Sequence, residues 1–469
     1  MDDLLRASAA ALARAIRARE VSSVEIVDAC LRRIEAVNPT LNAVVQLTAE
    51  SARSEARRAD ARLARGEAAA PLHGVPMTIK DAFETAGVIS TGGTTGRARF
   101  VPRQDATAVA RLRAAGAIML GKTNLPELSL AFESDNLIYG RTNNPYELTR
   151  TPGGSSGGEA AIIAAGGSPL GLGSDAAGSI RLPAHCCGIA GLKPTTGRVP
   201  CTGHFPPIEG LLEQVTAVGP LARHVEDLIL TLPILCGAEW GQDWRDAAVV
   251  PVPLGDPAAV DLKALRVAFH CDNGLQQPTP EIAAALQSAA LTLAGAGLVV
   301  EEARPAALER AYGLLVGVWA ADGGASTDTL LREAGTTEAH PMTLKRLERI
   351  RPYAVSGAKF GDLCVELSRF RSDMLSFMRD YDLLLCPVNA YPALPHGVTW
   401  GGEEFRAFTY TAAYNLVGWP GVVVRGGTSP EGLPLGVQVV ARPWREDVAL
   451  AVALRLEAEL GGWQPPPLR

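Results

Sequence analysis

Apolar residues Val24, Val27, Leu31 and Ile34 recur at helical spacing behind Ser22-x-x-Glu25, which reads as a capping box. The pattern predicts a helix there, stopped by Asn38-Pro39. Residues 49–65, mostly Ala, Arg and Glu, predict a second, solvated helix, so the segment 1–65 reads as helical. From residue 72 short apolar runs alternate with helical stretches: strands at 75–79, 117–120 and 169–173, helices at 106–115 and 160–165. The rhythm returns with strands at 265–270, 298–302, 383–386 and 436–440, and helices at 280–294, before Tyr381 and from Glu446. Strands alternating with helices predict an α/β fold whose sheet is covered on both faces. The Pro-rich stretch 251–257 is the best candidate for an internal boundary, but such loops are common within one domain. The expectation is one domain over 1–469: N-terminal helices 1–65, a motif-rich core 72–200, and the remaining sheet, helices and loops 201–469.

Composition narrows the function. With 47% apolar residues the chain can build a large core, and a formal charge of −6 lacks the basic footprint of a nucleic-acid binder. Only six of the basic residues are lysines, at 80, 122, 193, 263, 345 and 359. Arginine stays protonated, so few side chains here can serve as an amine base. The N-terminus has no basic segment leading into an apolar one, and no run approaches the ~18 apolar residues of a membrane span. A cytoplasmic protein without a membrane partner is expected. The eight cysteines are scattered without a C-x-x-C pair and read as reduced core residues. Cys186-Cys187 beside His185 cannot converge on one ion without further ligands, so neither metal nor cofactor is expected.

Three segments carry candidate chemistry: Gly74-Val-Pro-Met-Thr-Ile-Lys80-Asp81, Pro152-Gly-Gly-Ser155-Ser156-Gly-Gly-Glu159, and Gly173-Ser-Asp175-Ala-Ala-Gly178-Ser179-Ile-Arg181-Leu-Pro183. Acyl transfer needs a nucleophile, a base and N–H groups for the oxyanion, and a Ser–Ser–Lys set supplies them without histidine. Small residues before Ser179 allow a turn that aims the amides of Ala176, Ala177, Gly178 and Ser179 into one space, although a plain strand-to-helix turn has the same composition. Gly153-Gly-Ser-Ser-Gly-Gly158 satisfies G-x-S-x-G in two registers, but the preceding residues 146–152 are no strand, which an elbow requires. No Gly-Lys-Ser/Thr follows, so it is not a P-loop. Lys80 ends an apolar run, where burial favours the neutral amine, whereas Asp81 on a strand points to the other face. His73, His185 and His204 lack an acidic partner at useful spacing for a Ser–His mechanism.

Across roughly residues 74–197 these motifs resemble the amidase signature family of serine hydrolases, and weaker likeness continues to the C-terminus. The resemblance implies a single-domain α/β/α sandwich with a large mixed, twisted β-sheet covered by helices. It implies Ser179 as nucleophile, Lys80 as base, and Ser155, behind a cis peptide bond, relaying the proton, with Ser156 a supporting donor. Asp175 and Arg181 then tie down the nucleophile turn, while Lys122 and Lys193, in family-like segments, have structural roles. Cys386-Pro387-Val-Asn389, Tyr414-Asn415 and Gly418-Trp-Pro-Gly421 resemble the family's C-terminal half, whose loops line the substrate pocket. The chain departs from the family in having Ala177-Gly178 where many members have Gly-Gly, which would strain residue 177 if it needed a positive φ.

The expected activity is hydrolysis of a small-molecule amide C–N bond, with side activity on aryl esters and carbamates (urethanes), by a monomer or homodimer. The alternatives are the glutaminase subunit of a tRNA-dependent amidotransferase, which needs partner subunits, and a catalytically silent scaffold binding acylated ligands. The stretch from Cys201 through His204 to Pro207 does not look like the glutaminase component.

Overall fold

A computed structural model describes residues 2–237, 246, 249–399 and 402–468. Its eleven strands are β1 (Val44–Leu47), β2 (Pro76–Lys80), β3 (Ile118–Thr123), β4 (Leu170–Asp175), β5 (Ala190–Lys193), β6 (Ala217–Ala222), β7 (Arg266–Phe269), β8 (Val299–Glu302), β9 (Leu383–Pro387), β10 (Gly421–Thr428) and β11 (Pro434–Ala441). They form one mixed sheet in the order β1-β3-β2-β4-β6-β5-β10-β11-β9-β7-β8. Parallel pairs lie toward the two ends, β3-β2-β4 and β9-β7-β8, and antiparallel pairing joins them through the middle. Strands from both sides of the Pro-rich 251–257 segment are therefore hydrogen-bonded in one sheet.

Side chains of a strand alternate between faces, and here each face has its own core. Val422 and Val424 of β10 join one cluster while Val423 joins the other; Leu383 and Leu385 of β9 separate from Leu384 in the same way. The first core takes the N-terminal helices, Pro280–Gly295 and Glu446–Leu460; the second takes Arg181–Cys187, Gly357–Phe377 and Thr409–Leu416. This is the α/β/α arrangement, with a large mixed sheet between helical layers.

Details differ from the sequence pattern. The capping box forms: Ser22 Oγ accepts from the Glu25 amide and the Glu25 carboxylate accepts from the Ser22 amide. The helix then runs through Pro39 to Leu41 and stops at Asn42, which is left-handed with φ 51° and donates its N–H to the Asn38 carbonyl. Proline stops the helix only in the following turn because a single missing N–H near the end is tolerated. The N-terminal segment is not wholly helical, since β1 pairs antiparallel with β3 at the sheet's edge. Both β3 and β4 run farther than the apolar pattern, through Lys122-Thr123 and Ser174-Asp175, carrying polar residues into the interior. Among the described residues no helix is long and apolar enough to cross a membrane.

Candidate active site

Parallel strands β2 and β4 lie side by side, Thr78 opposite Gly171 and Ile79 opposite Leu172, so they end at the same edge of the sheet. Lys80 is the last residue of β2 and Asp175 the last of β4. Lys80 is fully buried, with Nζ 2.7 Å from Ser155 Oγ and 2.9 Å from Ser174 Oγ. Burial pushes its amine down to about 7, against the opposing charges of Asp175 and Glu159. Glu159 sits one helix turn beyond the serines, hydrogen-bonded by the Thr78 hydroxyl and, at 2.7 Å, by Thr123. Its own burial pushes it up to about 8, against the hydrogen bonds from Thr78 and Thr123. Gly171 makes room for it: a Cβ there would collide with the Glu159 carboxyl.

The Gly154–Ser155 peptide bond is cis. The Ser156 amide donates to the Ser179 carbonyl at 3.2 Å, and its hydroxyl to the Ser174 carbonyl at 3.4 Å, so the two serine-bearing turns are tied together. Ser179 is 7% exposed against 1% for Ser155 and none for Lys80, so solvent reaches the nucleophile candidate and not the amine.

The turn before Ser179 hangs on Asp175. Its carboxylate accepts from the amides of Gly178 at 2.7 Å and Ile180 at 3.1 Å, and from Arg181 Nε and Nη2 at 3.0 Å each. Arg181 also donates to Gln438 Oε1 at 2.6 Å and Asn415 Oδ1 at 2.5 Å, and Asn415 returns a bond to Asp175 at 3.0 Å. Burial alone would raise the Asp175 carboxyl, but the charge and hydrogen bonds of Arg181 outweigh it and hold it well below the usual carboxylate range. The Gly178 amide is thereby committed to Asp175, which withdraws one of the four amides the sequence suggests for an oxyanion. Those of Ala176, Ala177 and Ser179 have no hydrogen-bond acceptor among the described residues. The left-handed residue is Gly178, with φ 119°, and Ala177 needs no positive φ, so the missing second glycine causes no strain. A Cβ at Gly178 would also collide with Thr411, whose hydroxyl donates to the Ala177 carbonyl at 2.8 Å.

Of the other nominated residues only His204 and Asn415 reach this centre. Lys122 faces Asp81 at 3.2 Å and donates to the Phe83 carbonyl and Ser90, pinning the loop after β2. Lys193 ends β5 and bonds the adjacent Pro194 carbonyl at 2.8 Å; burial, then Arg181, bring it down to about 7. His73 bonds the Ala59 carbonyl, and His185 spans the Tyr391 carbonyl and the Gly436 amide. His204 alone of the three approaches the lysine, 2.9 Å from Ser174 Oγ. Asn415 belongs to the Asp175 knot, whereas Tyr414 and Trp419 are core residues, each 1% exposed. Among the described residues no group of His, Cys, Asp or Glu could hold a metal ion, and all eight cysteines are free thiols. Ser174, Glu159, Gln438 and Thr411 were not singled out by sequence. Their only signal is position: Ser174 lies inside the Gly173–Pro183 motif, and Glu159 closes the Ser155 motif.

The amidase family model matches residues 25–450. The chain belongs to the amidase signature family. Members of this family are hydrolases of amide C–N bonds. An acylamidase of Rhodococcus erythropolis is 34% identical, with 96% of this chain and 95% of the relative covered. A glutamyl-tRNA(Gln) amidotransferase subunit of Anaeromyxobacter sp. (strain K) is 35% identical, with 96% of each covered. Among solved structures, 6-aminohexanoate cyclic dimer hydrolase superposes on this amidase with a TM-score of 0.88 at 30% identity, covering 99% of both chains. A bacterial aryl acylamidase of the same family gives 0.85 at 25% identity, with 96% of each covered.

Proposed function

We propose that this amidase cleaves a small carboxylic amide through an acyl-enzyme on Ser179, with Lys80 as base and Ser155 as relay. Neutral Lys80 takes the Ser155 proton while Ser155 takes that of Ser179, and the Ser179 oxygen bonds the carbonyl carbon. The oxyanion is held by the free amides of the 176–179 turn. On collapse the C–N bond breaks and the amine leaves with the proton returned from Lys80 through Ser155. Water, deprotonated along the same route, then releases the acid. The observation that carries this reading is a fully buried amine, lowered to about 7, held 2.7 Å from Ser155. A base that titrates near the working pH is the useful one.

The substrate class is argued from the neighbouring rings. The backbone of residues 131–133 packs against Gly154, and Thr411, which touches Gly178, follows Phe408 on the same segment. Phe132 and Phe408 stack at 3.7 Å with planes 9° apart, and Phe405 packs against both. This apolar layer beside the serines favours an aryl or alkyl acyl amide, with slower turnover of aryl esters and carbamates. The glutaminase reading is supported by the similarity to amidotransferase subunits. A panel of anilides, aliphatic amides, aryl carbamates and glutamine, run on the isolated protein, separates them. Anilide hydrolysis without partners is expected; turnover of glutamine alone, and only once its partners are supplied, would replace this reading by the glutaminase one.

A further inference from the structure

His204 is used by no step above, yet it stands one hydroxyl away from Lys80. Its Nδ1 lies 2.8 Å from the Pro206 carbonyl, and its Nε2 lies 2.9 Å from Ser174 Oγ, itself 2.9 Å from Lys80 Nζ. A carbonyl only accepts, so Nδ1 must carry the ring proton. Burial, with Lys80 nearby, brings the imidazole down to about 3, so Nε2 stays a bare acceptor throughout the working range. The single Ser174 proton is therefore committed to Nε2, and the Ser174 oxygen has only lone pairs to offer Lys80.

We infer that His204 is a positioning residue which, through Ser174, reserves the lone pair of Lys80 for the Ser155 hydroxyl. Two hydroxyls touch Nζ, and a neutral amine has one lone pair. If both serines were free to donate, each would compete for it, and a lysine bonded by Ser174 could not receive the Ser155 proton. The acceptor-only Pro206 carbonyl at the far end sets the direction of the whole chain, Pro206 ← His204 ← Ser174 ← Lys80 ← Ser155. The other charged or titratable groups acting on Lys80 are Glu159, from the helix Gly157–Ala164, and Asp175, at the end of β4. Neither is in the hydrogen-bonded chain to His204. The inference rests on reading Lys80 as the base.

The test is the rate at which an aryl fluorophosphonate labels Ser179, followed from pH 5 to 10, which needs no knowledge of the natural substrate. His204→Phe keeps a flat ring against Phe83, whose edge-to-face contact is at 5.2 Å, and removes the acceptor. Freed Ser174 should then donate to Lys80, lowering the alkaline plateau by about tenfold, part of the ~10²–10⁴ that general base catalysis provides. The midpoint should move to lower pH, because the neutral amine gains a donor. Mere loosening would admit water, relieve the burial of Lys80 and move the midpoint upward. In a Ser174→Ala background His204→Phe should change nothing further, because its effect passes through that hydroxyl. His204→Gln, which offers both a donor and an acceptor, should label faster than His204→Phe and answers the question if the latter fails to fold. An unchanged profile, an upward midpoint, or equal losses in both backgrounds would overturn the inference. Absence of Ser179 labelling in the wild type would instead overturn the acyl-enzyme reading itself.

Discussion

In the proposed mechanism Lys80 sets the pH dependence of the reaction. Its amine titrates near 7 because it is buried, and only the neutral form accepts a proton. kcat/KM for an anilide should therefore rise through one ionisation near neutrality and stay high into the alkaline range. Lys80→Arg should lose at least ~10²-fold, since guanidinium does not deprotonate there. Near-wild-type hydrolysis by that variant would remove Lys80 from the mechanism. Lys80, Ser155 and Ser179 were nominated through the resemblance of their glycine- and proline-marked segments to the amidase signature family. Ser174 and Glu159 were not, and His204 was raised only as a base lacking an acidic partner. A serine inside a strand, a glutamate at a helix start and a histidine in a loop acquire a role only from what the fold sets beside them.

At the scale of elements, the turn before Ser179 is held by a buried knot joining β4, the helix Arg181–Cys187, the helix Thr409–Leu416 and β11. Arg181→Met should leave Asp175 charged and unpaired in the interior, costing about 3–5 kcal/mol in urea unfolding together with the activity. A loss below ~1 kcal/mol would mean that the knot is not what holds the turn. The Asp175–Arg181 pairing was readable from six residues of spacing. Gln438 and Asn415 were not readable as its partners, because each lies more than 230 residues away in the chain. β1, β5, β6 and β10 were missed, two of them for local causes: Gly219-Pro220 breaks the apolar pattern of β6, and Arg425-Gly426-Gly427 that of β10. Of the strands read from sequence, β9 gave the clearest signal, an unbroken apolar run that is buried throughout.

Across the whole molecule, the buried amines link function to stability. Lys80 and Lys193 both titrate near 7 when folded, far below the ~10.4 of an unfolded lysine. Between these values the unfolded chain holds protons that the folded chain has released, so stability should rise as pH goes from 7 to 10, and the penalty is fully present below 7. Lys80→Met should abolish activity yet raise Tm at pH 7 by at least ~2 °C, and flatten part of that pH dependence. A lower Tm would show that Lys80 holds the fold together rather than straining it. The alternation of strands and helices foretold the layered α/β architecture, but not the order of strands, which depends on long-range pairing with no local signal. The most direct measurement of the central claim is peptide mapping by mass spectrometry after brief exposure to a slow aryl amide. The adduct is expected on Ser179 and absent in Ser179→Ala, whose kcat should fall by ~10⁴–10⁶ with the fold intact. An adduct on Ser155 or Ser156, or full turnover by Ser179→Ala, would contradict it.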